Sequence, residues 1–367
     1  MNRKLLCIIV NALLLLSLFI ISISCSAQPT NSSKSGATIS STVTSISTPK
    51  EQTIEMKYAS FQPTTSRQHK IFQTWVEEVY RRTNGRLKVT IFPAEALGKA
   101  AQGYDIAIEG AADFSYVVPS YNVGKFPLTD VVTLPFILPT DRITNALWEV
   151  FKENPEIQQE YSPVKVLAMW TSATLQLCTN KKPVRRIADL NGMQIRVPNT
   201  ATGNLFTSLG AKPVFIPVVD CYIPMQKGTV DGVTFGYAGL ITYKLVEVTK
   251  YVTNMGVSMS SGVFVINPRS WDLLPEDIQQ LIGPEGDLGG DWIVSKICEG
   301  FNADDLAARD NVQKAGIEII TLSSADTMKL QGFARPMHED WIKEMNAKGL
   351  PGQKIFDSVL RIAATAK

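Results

Sequence analysis

Histidine and cysteine are scarce in this sequence, which contains two histidines and five cysteines among its 367 residues. The two histidines, His69 and His338, lie far apart, and the sequence contains neither an HExxH nor a GxSxG motif. The cysteines show no CxxC spacing and no cysteine–histidine spacing of the kind that binds metal ions. We therefore expect no metal site, no other cofactor and no catalytic activity, although residues distant in sequence can still meet in a folded enzyme.

The sequence also lacks a strong charge imbalance. It has 36 lysines and arginines against 34 aspartates and glutamates, a formal net charge of +2, and the basic residues are scattered along the chain. Nucleic-acid binding usually requires a basic stripe or patch, so we expect no nucleic-acid partner. Hydrophobic residues make up 45% of the chain, which provides material for cores, and the length favours about two domains.

Residues 1–25 predict a signal peptide, because a short basic start is followed by an apolar run and then by small residues. Cys25 resembles the lipid-modified first residue of a mature bacterial lipoprotein, and we predict lipidation there. Ser22 departs from that pattern, which prefers leucine three positions before the cysteine. A plain signal peptide with an incidental cysteine and a retained membrane helix are the alternatives.

Residues 26–52 are rich in serine and threonine and carry too little apolar surface to offset the entropy of ordering the chain. We predict a disordered tether that would hold the folded part away from a membrane to which only the lipid is attached. The cysteines beyond it, Cys178, Cys221 and Cys298, are too few for a disulfide framework. A single Cys178–Cys221 disulfide is left open by the sequence.

From residue 53 onward, segments with the period of a strand alternate with segments with the period of a helix. The first such series ends with the predicted strand "FSYVV", and a second series begins with the predicted strand "VKVLAMW". This alternation predicts an α/β protein with mostly parallel sheets. Two such units fit a bilobed binding protein, in which each lobe is doubly wound and a small ligand binds in the cleft. The predicted first lobe comprises residues 53–170 and 262–305, the second comprises residues 171–261 and 306–367, and a long helix over residues 289–314 contacts both. From Pro268 onward the sequence predicts mostly helices.

Arg196 is the most informative single residue. In the segment "QIRVP" it lies between two apolar strand residues, and Pro198 makes a continued strand unfavourable because proline has no N–H to donate. A guanidinium group is always charged, and its parallel donors match the two oxygens of a carboxylate. Arg196 is therefore a candidate ligand-binding residue at a strand end, and the alternative is an internal salt bridge to Asp220 or Asp231.

Five segments, in this order and spacing, resemble the solute-binding proteins of tripartite ATP-independent periplasmic (TRAP) transporters of the DctP type. They are "LKVTIFPAEALG", "GAADFSYVVPSYNVGKFPLTDVVTLPFILP", "TNKKPVRRIADLNGMQIRVPN", "LGAKPVFIPVVDCYIPMQKGTVDGV" and "WDLLPEDIQQLI". The resemblance covers roughly residues 54–366 and implies a bilobed, type II periplasmic-binding-protein-like fold. It also implies that the protein captures a small organic acid outside the cytoplasm and delivers it to the TRAP membrane permease subunits. An extracytoplasmic enzyme acting on a small carboxylate, or a binding protein that serves a sensor or an ABC importer, is the alternative.

The resemblance implies that Arg196 is the carboxylate-binding arginine of the family, and the departures from the family pattern concern the rest of the pocket. A second arginine that many members carry is missing near Leu175-Gln176, and Val233-Thr234-Phe235 replaces the Gln-Glu-Asn of dicarboxylate and sialic acid binders. The pocket has lost a charge and an amide and has gained an aromatic ring. This predicts a monocarboxylate with an apolar or aromatic body rather than a dicarboxylate or a sugar acid.

The complete predicted ligand-binding set is Arg196, Phe235, Tyr237, Gln176, Gln62, Trp170, Tyr116 and Asn199. The aromatic members are also typical core residues, so burial in a core is the alternative for each of them. Asn199 precedes a predicted helix, and capping that helix is the favoured role for its side chain.

Overall fold

The computed structural model describes residues 52–139 and 144–366. The predicted signal peptide, Cys25 and nearly all of the predicted tether lie outside the described residues. None of the helices in the described part of the chain is both long enough and apolar enough to span a bilayer.

The described residues form eleven strands, which we number in chain order. They are β1 (Ile54–Ala59), β2 (Leu87–Phe92), β3 (Phe114–Val117), β4 (Lys165–Thr171), β5 (Gln176–Thr179), β6 (Gln194–Val197), β7 (Lys212–Phe215), β8 (Gly232–Phe235), β9 (Tyr251–Asn254), β10 (Ser261–Ile266) and β11 (Glu318–Thr321).

Thirteen α-helices accompany the strands in the same part of the chain. They are α1 (Arg67–Arg82), α2 (Gly103–Glu109), α3 (Ala146–Glu153), α4 (Pro155–Glu160), α5 (Thr200–Ser208), α6 (Tyr222–Lys227), α7 (Tyr237–Thr242), α8 (Pro268–Asp272), α9 (Glu276–Ile282), α10 (Gly290–Lys314), α11 (Ser324–Gly332), α12 (Ala334–Ala347) and α13 (Gly352–Ala363).

The strands form two sheets, which define a first lobe and a second lobe. The first sheet has the order β2-β1-β3-β10-β4, and the second has the order β11-β9-β5-β8-β6-β7. Each sheet contains one strand that runs antiparallel to its neighbours, β10 in the first and β5 in the second. The other pairings, β1 with β2 and β3, β6 with β7 and β8, and β9 with β11, are parallel. The predicted bilobed α/β fold with mostly parallel sheets is therefore confirmed.

The chain crosses between the sheets at the two antiparallel strands. β4 of the first sheet is followed by β5 of the second, and β9 of the second sheet is followed by β10 of the first. An antiparallel strand needs no crossover helix within its own sheet, so each can be entered directly from the other lobe. These crossings lie beside the boundaries that the sequence predicts at residues 170/171 and 261/262.

Helix α1 shows how the sequence forms the first lobe. The Ser66 hydroxyl accepts a hydrogen bond from the backbone N–H of His69 at 3.0 Å and so caps the helix. Phe72, Trp75 and Val79 follow the helical period and are buried. Full burial of each of these large side chains contributes roughly 1.5–3 kcal/mol. This apolar face packs on the first sheet, where the Trp75 ring contacts Phe264 at 5.2 Å between centroids.

The long helix α10 contacts both lobes, as the sequence predicts. It packs against α1 and β4 of the first lobe and against α7 of the second lobe. Near its start, Gly290 lies so close to Trp148 that a Cβ atom there would be 2.0 Å from the indole ring. The helix can therefore lie flat on the first lobe only with glycine at this position.

The C-terminal region differs from the prediction in two respects. β11 interrupts a region predicted to be mostly helical, and it pairs with β9 in the second sheet. The sequence predicts residues 306–367 in the second lobe, whereas α13 packs against α3, and Ile355 and Val359 belong to the hydrophobic core of the first lobe. α13 belongs with the first lobe because α3 of that lobe covers the apolar face of the helix.

The three cysteines of the described residues, Cys178, Cys221 and Cys298, are buried and free. The Cys178–Cys221 disulfide that the sequence leaves open is not formed in the structure. Burial raises the pKa of the Cys298 thiol to about 11, and it also raises the pKa of the other two thiols. These cysteines therefore behave as small apolar core residues rather than as reactive thiols.

Candidate functional site

A cavity of about 160 Å³ lies between the lobes and is lined by residues from both of them. The first lobe contributes Phe61, Gln62, Gln68, Tyr116 and Tyr121, the second lobe contributes Arg196, Val218, Thr234, Phe235 and Tyr243, and α10 contributes Phe301 and Asp304. Clefts between lobes are common ligand sites because several elements can direct side chains into them.

Arg196 lies in this cavity wall with only 2% of its surface exposed. β6 carries it between the parallel neighbours β7 and β8, opposite Val214 and Val233. Its Nε donates to the Ile216 carbonyl at 2.7 Å, and its Nη1 donates to the Thr234 carbonyl at 3.2 Å. These two backbone bonds fix the plane of the guanidinium group before any ligand arrives.

The remaining amine of Arg196, Nη2, is buried and lacks a partner with hydrogen-bond geometry. Among the described residues no carboxylate forms an ion pair with Arg196, and Asp231 instead accepts a hydrogen bond from the Gln194 N–H at 2.8 Å. The alternative of an internal salt bridge to Asp220 or Asp231 is thus wrong in this structure. A buried, uncompensated charge is costly, so a wall built in this way is suited to an anion.

A pair of packed aromatic rings lies beside the guanidinium of Arg196. The Phe235 ring centroid lies 5.5 Å from Arg196 Cζ, within the range of a cation–π contact. The Tyr243 ring packs on Phe235 at 5.8 Å. These rings leave an apolar space beside the charged group, which suits a ligand with a carboxylate at one end and an apolar body.

Two hydrogen bonds cross the cleft next to the cavity. The Tyr121 hydroxyl in the first lobe accepts from the Val218 N–H in the second lobe at 2.9 Å. The Tyr243 hydroxyl in the second lobe donates to Gln62 Oε1 in the first lobe at 3.1 Å. Burial raises the pKa of both phenols, and for Tyr121 the nearby charge of Arg196 acts in the opposite direction. Both hydroxyls therefore stay neutral and can keep these bonds at physiological pH.

The first-lobe wall holds two polar atoms without partners. Gln62 Nε2 donates to Gln68 Oε1 at 2.9 Å, whereas Gln68 Nε2 is buried and lacks a partner with hydrogen-bond geometry. The hydroxyl of Ser261, which also lines the cavity, is likewise buried and unpaired. Tyr116 completes this wall, and burial raises its pKa to about 12. Buried unpaired polar atoms are rare in native proteins, and a ligand oxygen is one explanation for them.

Asp304 and Asp305 are adjacent in α10 and have partners in opposite lobes. Asp304 Oδ1 lies 3.3 Å from Nη2 of Arg67, at the start of α1. Asp305 accepts a hydrogen bond from the Ala238 N–H at 3.0 Å and so holds the first turn of α7. Burial raises the pKa of the Asp305 carboxyl, and the hydrogen bonds from the α7 backbone oppose that rise.

Of the eight predicted ligand-binding residues, the structure brings four to the cavity: Arg196, Phe235, Gln62 and Tyr116. Their contact with a ligand stays a prediction. Two others serve the second lobe instead. The Tyr237 hydroxyl hydrogen-bonds to Asn254, and Gln176 Oε1 accepts from the backbone N–H groups of Met255 and Gly256 at 2.9 and 3.0 Å. The predicted placement of Tyr237 and Gln176 in the ligand cavity is corrected, because their side chains hydrogen-bond to groups of the second lobe away from the cavity.

Trp170 and Asn199 also differ from the prediction. Trp170 is 1% exposed and lies beneath the cavity wall, with its ring centroid 5.2 Å from that of Tyr116. Asn199 Oδ1 accepts from the Thr202 N–H at 2.8 Å and caps α5, the role that the sequence favours. Neither side chain lines the cavity.

Sequence reasoning missed several cavity residues, notably Tyr121, Tyr243, Gln68, Arg67 and Asp304. They come from helices or turns far from the "QIRVP" segment in sequence. Tyr121 lies shortly after the predicted strand "FSYVV", and Tyr243 directly follows α7, so both lie at element ends, where cleft residues are often found. Arg67 and Asp304 carry no local signal, since each resembles an ordinary exposed residue of an amphipathic helix.

A family model described as bacterial extracellular solute-binding protein, family 7 (DctP), matches residues 58–344. Among curated proteins, the 2,3-diketo-L-gulonate-binding periplasmic protein YiaO of Escherichia coli (strain K12) is 25% identical over 74% of this chain and 81% of its own length.

Two solved structures are similar over 85% of this chain and 98% of their own length, each with a TM-score of 0.79. One is a TRAP solute-binding protein from Rhodoferax ferrireducens T118 in complex with copurified benzoate, at 23% sequence identity. The other is a marine metagenome TRAP solute-binding protein specific for aromatic acid ligands, in complex with 3-hydroxybenzoate, at 26% identity. Both share the bilobed fold described above.

Proposed function

Because this chain belongs to family 7 of the bacterial extracellular solute-binding proteins, it is a TRAP-type solute-binding protein that acts outside the cytoplasm, and we propose that its solute is a small monocarboxylate with an apolar or aromatic body. The observation that carries this proposal is the buried Arg196 guanidinium, which faces the cavity with a free Nη2 and no counter-ion among the described residues.

The energetics of Arg196 are sufficient for this role. Hydrogen bonds to charged groups contribute on the order of 1.5–3 kcal/mol each, and a carboxylate can accept two from one guanidinium. Burial of an aromatic ring against Phe235 and Phe61 adds a hydrophobic contribution. Together these terms can reach about 8 kcal/mol, which corresponds to micromolar affinity.

The charge of the cavity favours a monoanion. Three of its lining residues carry a charge, namely Arg67, Arg196 and Asp304. The ion pair between Arg67 and Asp304 cancels two of these charges, which leaves the charge of Arg196. One carboxylate neutralises the cavity, in agreement with the solved aromatic-acid binder at 26% identity.

The ligand is proposed to carry one further oxygen, such as a ring hydroxyl. Gln68 Nε2 and Ser261 Oγ are the buried unpaired atoms of the first-lobe wall, and a hydroxyl can donate to one and accept from the other. A site that presents unpaired polar groups discriminates against analogues that lack the matching oxygen.

Binding is proposed to hold the lobes closed. Arg196 belongs to the second lobe, whereas Gln68 belongs to the first, so a ligand bound to both stabilises the closed arrangement only. The hydrogen bonds Tyr243–Gln62 and Tyr121–Val218 cross the same cleft and support closure. TRAP membrane subunits would then recognise the closed form, and lipidated Cys25 would keep the protein at the membrane surface.

The enzyme alternative has little support in the cavity. Neither histidine lines it, and His338 instead makes a hydrogen bond with the Pro135 carbonyl at 2.8 Å. The relatives named above are binding proteins. No observation favours a sensor or an ABC importer as the recipient of the ligand.

The proposal is tested by isothermal calorimetry with benzoate, hydroxybenzoates, mandelate, succinate, malate and glucuronate. We expect the aromatic monocarboxylates to bind with micromolar affinity or better and the aliphatic dicarboxylates to bind at least tenfold more weakly. A clear preference for succinate, malate or glucuronate would contradict the proposed solute class.

A further inference from the structure

Two charged side chains from different helices meet in the cavity wall. Arg67 begins α1, Asp304 lies in α10, and Nη2 of the arginine is 3.3 Å from Oδ1 of the aspartate. Both residues line the cavity that contains Arg196. Their side chains are 43% and 39% exposed, so the pair lies where the cavity is partly open to water.

The backbone of α10 is adapted to this pair. A Cβ atom at Gly300 would lie 3.2 Å from Nε and 3.3 Å from Cγ of Arg67, closer than most side-chain contacts. Gly300 and Asp304 are four residues apart and therefore share one face of the helix. The glycine leaves room for the Arg67 side chain to lie along α10 and reach Asp304.

The pair determines how many negative charges the cavity accepts. Without Asp304, the cavity would contain two arginines, Arg67 and Arg196, and would suit a dicarboxylate. With Asp304 present, Arg67 is already neutralised, and a second ligand carboxylate near it would meet a like charge. Like charges placed together at an interface disfavour the wrong partner, which is a common route to specificity.

We propose that the Arg67–Asp304 ion pair is a charge filter that restricts the cavity to monoanions, because Asp304 both occupies Arg67 and repels a second carboxylate. This inference rests on the proposed monocarboxylate function and deepens it by naming the residues that exclude dianions. Arg67 and Asp304 are thus specificity-determining residues, whereas Arg196 supplies the affinity for the first carboxylate.

The filter is tested with Asp304→Asn, which keeps the size of the side chain and removes its charge. Calorimetry is run with benzoate and with the ortho, meta and para benzenedicarboxylates, which place the second carboxylate at different separations from the first. We expect at least one benzenedicarboxylate to bind Asp304→Asn about tenfold more tightly than wild type. Benzoate affinity should rise by a smaller factor, because the same loss of negative charge also favours a single carboxylate, so the test compares the gain of the benzenedicarboxylate with the gain of benzoate.

Two further variants separate charge from shape. Arg67→Gln combined with Asp304→Asn restores the original cavity charge, so the gained dicarboxylate affinity should disappear. Asp287→Asn is the matched control, since Asp287 pairs with Arg82 of the same helix α1, also at 3.3 Å, but neither residue lines the cavity. This control should bind every ligand as wild type does.

The outcomes are distinguishable. Unchanged dicarboxylate affinity in Asp304→Asn, with benzoate binding intact, overturns the filter and leaves the proposed function standing. Equal affinity of wild type for benzoate and for a benzenedicarboxylate also overturns the filter alone. If wild type binds neither benzoate nor the benzenedicarboxylates, the proposed aromatic ligand class is wrong and the filter is overturned with it.

Discussion

The hydroxyl of Tyr243 in the second lobe donates a 3.1 Å hydrogen bond to Gln62 Oε1 in the first lobe. The same tyrosine packs on Phe235, and Phe235 packs on Arg196. Gln62 in turn donates to Gln68, whose own Nε2 lacks a partner with hydrogen-bond geometry. A continuous set of contacts therefore joins Arg196 to the opposite wall of the cleft through residues that connect the two lobes.

Tyr243→Phe removes only the hydroxyl of this cross-cleft bond. A typical hydrogen bond contributes about 1 kcal/mol net, so we expect ligand affinity to fall about fivefold. The ligand-free protein should also become more open, with a larger radius of gyration by small-angle X-ray scattering. Tyr222→Phe is the matched control, because the Tyr222 hydroxyl donates to Glu247 within the second lobe at 2.8 Å. An equal loss of affinity in both variants would argue against a role of Tyr243 in closure.

Arg196→Lys retains a positive charge but loses the planar pair of donors. We expect the affinity for an aromatic monocarboxylate to fall by at least tenfold, about 1.4 kcal/mol, and Arg196→Ala to abolish measurable binding by calorimetry. Arg185→Lys serves as the control, since Arg185 pairs with Glu318 on the protein surface. Wild-type affinity in Arg196→Ala with an intact fold would exclude the carboxylate-binding role.

Gln68→Leu and Ser261→Ala test the proposed oxygen subsite. Wild type should bind one positional isomer of hydroxybenzoate more tightly than benzoate, and each variant should lose about 1–2 kcal/mol of that preference while benzoate affinity stays unchanged. Thr242→Val is a suitable control, because Thr242 lines the cavity but its hydroxyl already donates to the Ala238 carbonyl at 3.0 Å. If both variants still prefer the hydroxybenzoate over benzoate, the ring hydroxyl of the ligand does not bind to Gln68 and Ser261.

Two buried carboxyl groups predict a pH dependence of stability. Burial raises the pKa of both Asp130 and Glu160 to about 7, so the folded state holds more protons than the unfolded state between about pH 4 and pH 7. The free energy of unfolding should therefore fall as the pH rises through this range, by up to about 1.4 kcal/mol per pH unit for each group.

Urea denaturation between pH 5 and pH 8 measures this slope. Asp130→Asn should reduce the slope and raise stability at the alkaline end, because Asp130 Oδ1 is buried without a hydrogen-bond partner. Equal slopes in the wild type and in Asp130→Asn would mean that Asp130 is ionised in the folded state.

The proposed lipid anchor is tested in cells that process the full chain. The wild-type protein should partition into the detergent phase of a Triton X-114 extraction, and Cys25→Ala should abolish that partitioning. Release of an unmodified wild-type protein into the aqueous phase would show that Cys25 is not lipidated.

The order of strands and helices could be predicted because periodicity is a local property. α1 and β2, for example, follow the helical and the alternating pattern closely. β11 was missed because its four residues lie between helices and are too short to show a period. The place of α13 depends on which apolar surface is left uncovered after both sheets have formed, and no local pattern contains that information.

The candidate site was predictable where strand ends meet the cleft, as for Arg196 and Phe235. Tyr237 illustrates the limit, since it starts α7 and faces the core, whereas its neighbours Ala238 and Gly239 line the cavity. Which side of a short helix faces a cleft depends on how the helix docks. Gln176 illustrates a second limit, because its amide is used by backbone groups that only the fold brings near.

Asp304 contacts Arg67 of the first lobe, and Asp305 contacts the Ala238 N–H of the second lobe. A fluorescent label on α10 near these two residues is therefore well placed to report ligand binding. Leu306 follows directly in this helix and is 69% exposed, whereas the cysteines of the described residues are all buried. A single environment-sensitive dye could therefore be attached at Leu306→Cys in a Cys7→Ala and Cys25→Ala background without labelling the core. Because the adjacent aspartates bind different lobes, a change in lobe arrangement would alter the surroundings of the dye, and the labelled protein could report the binding of its solute by fluorescence.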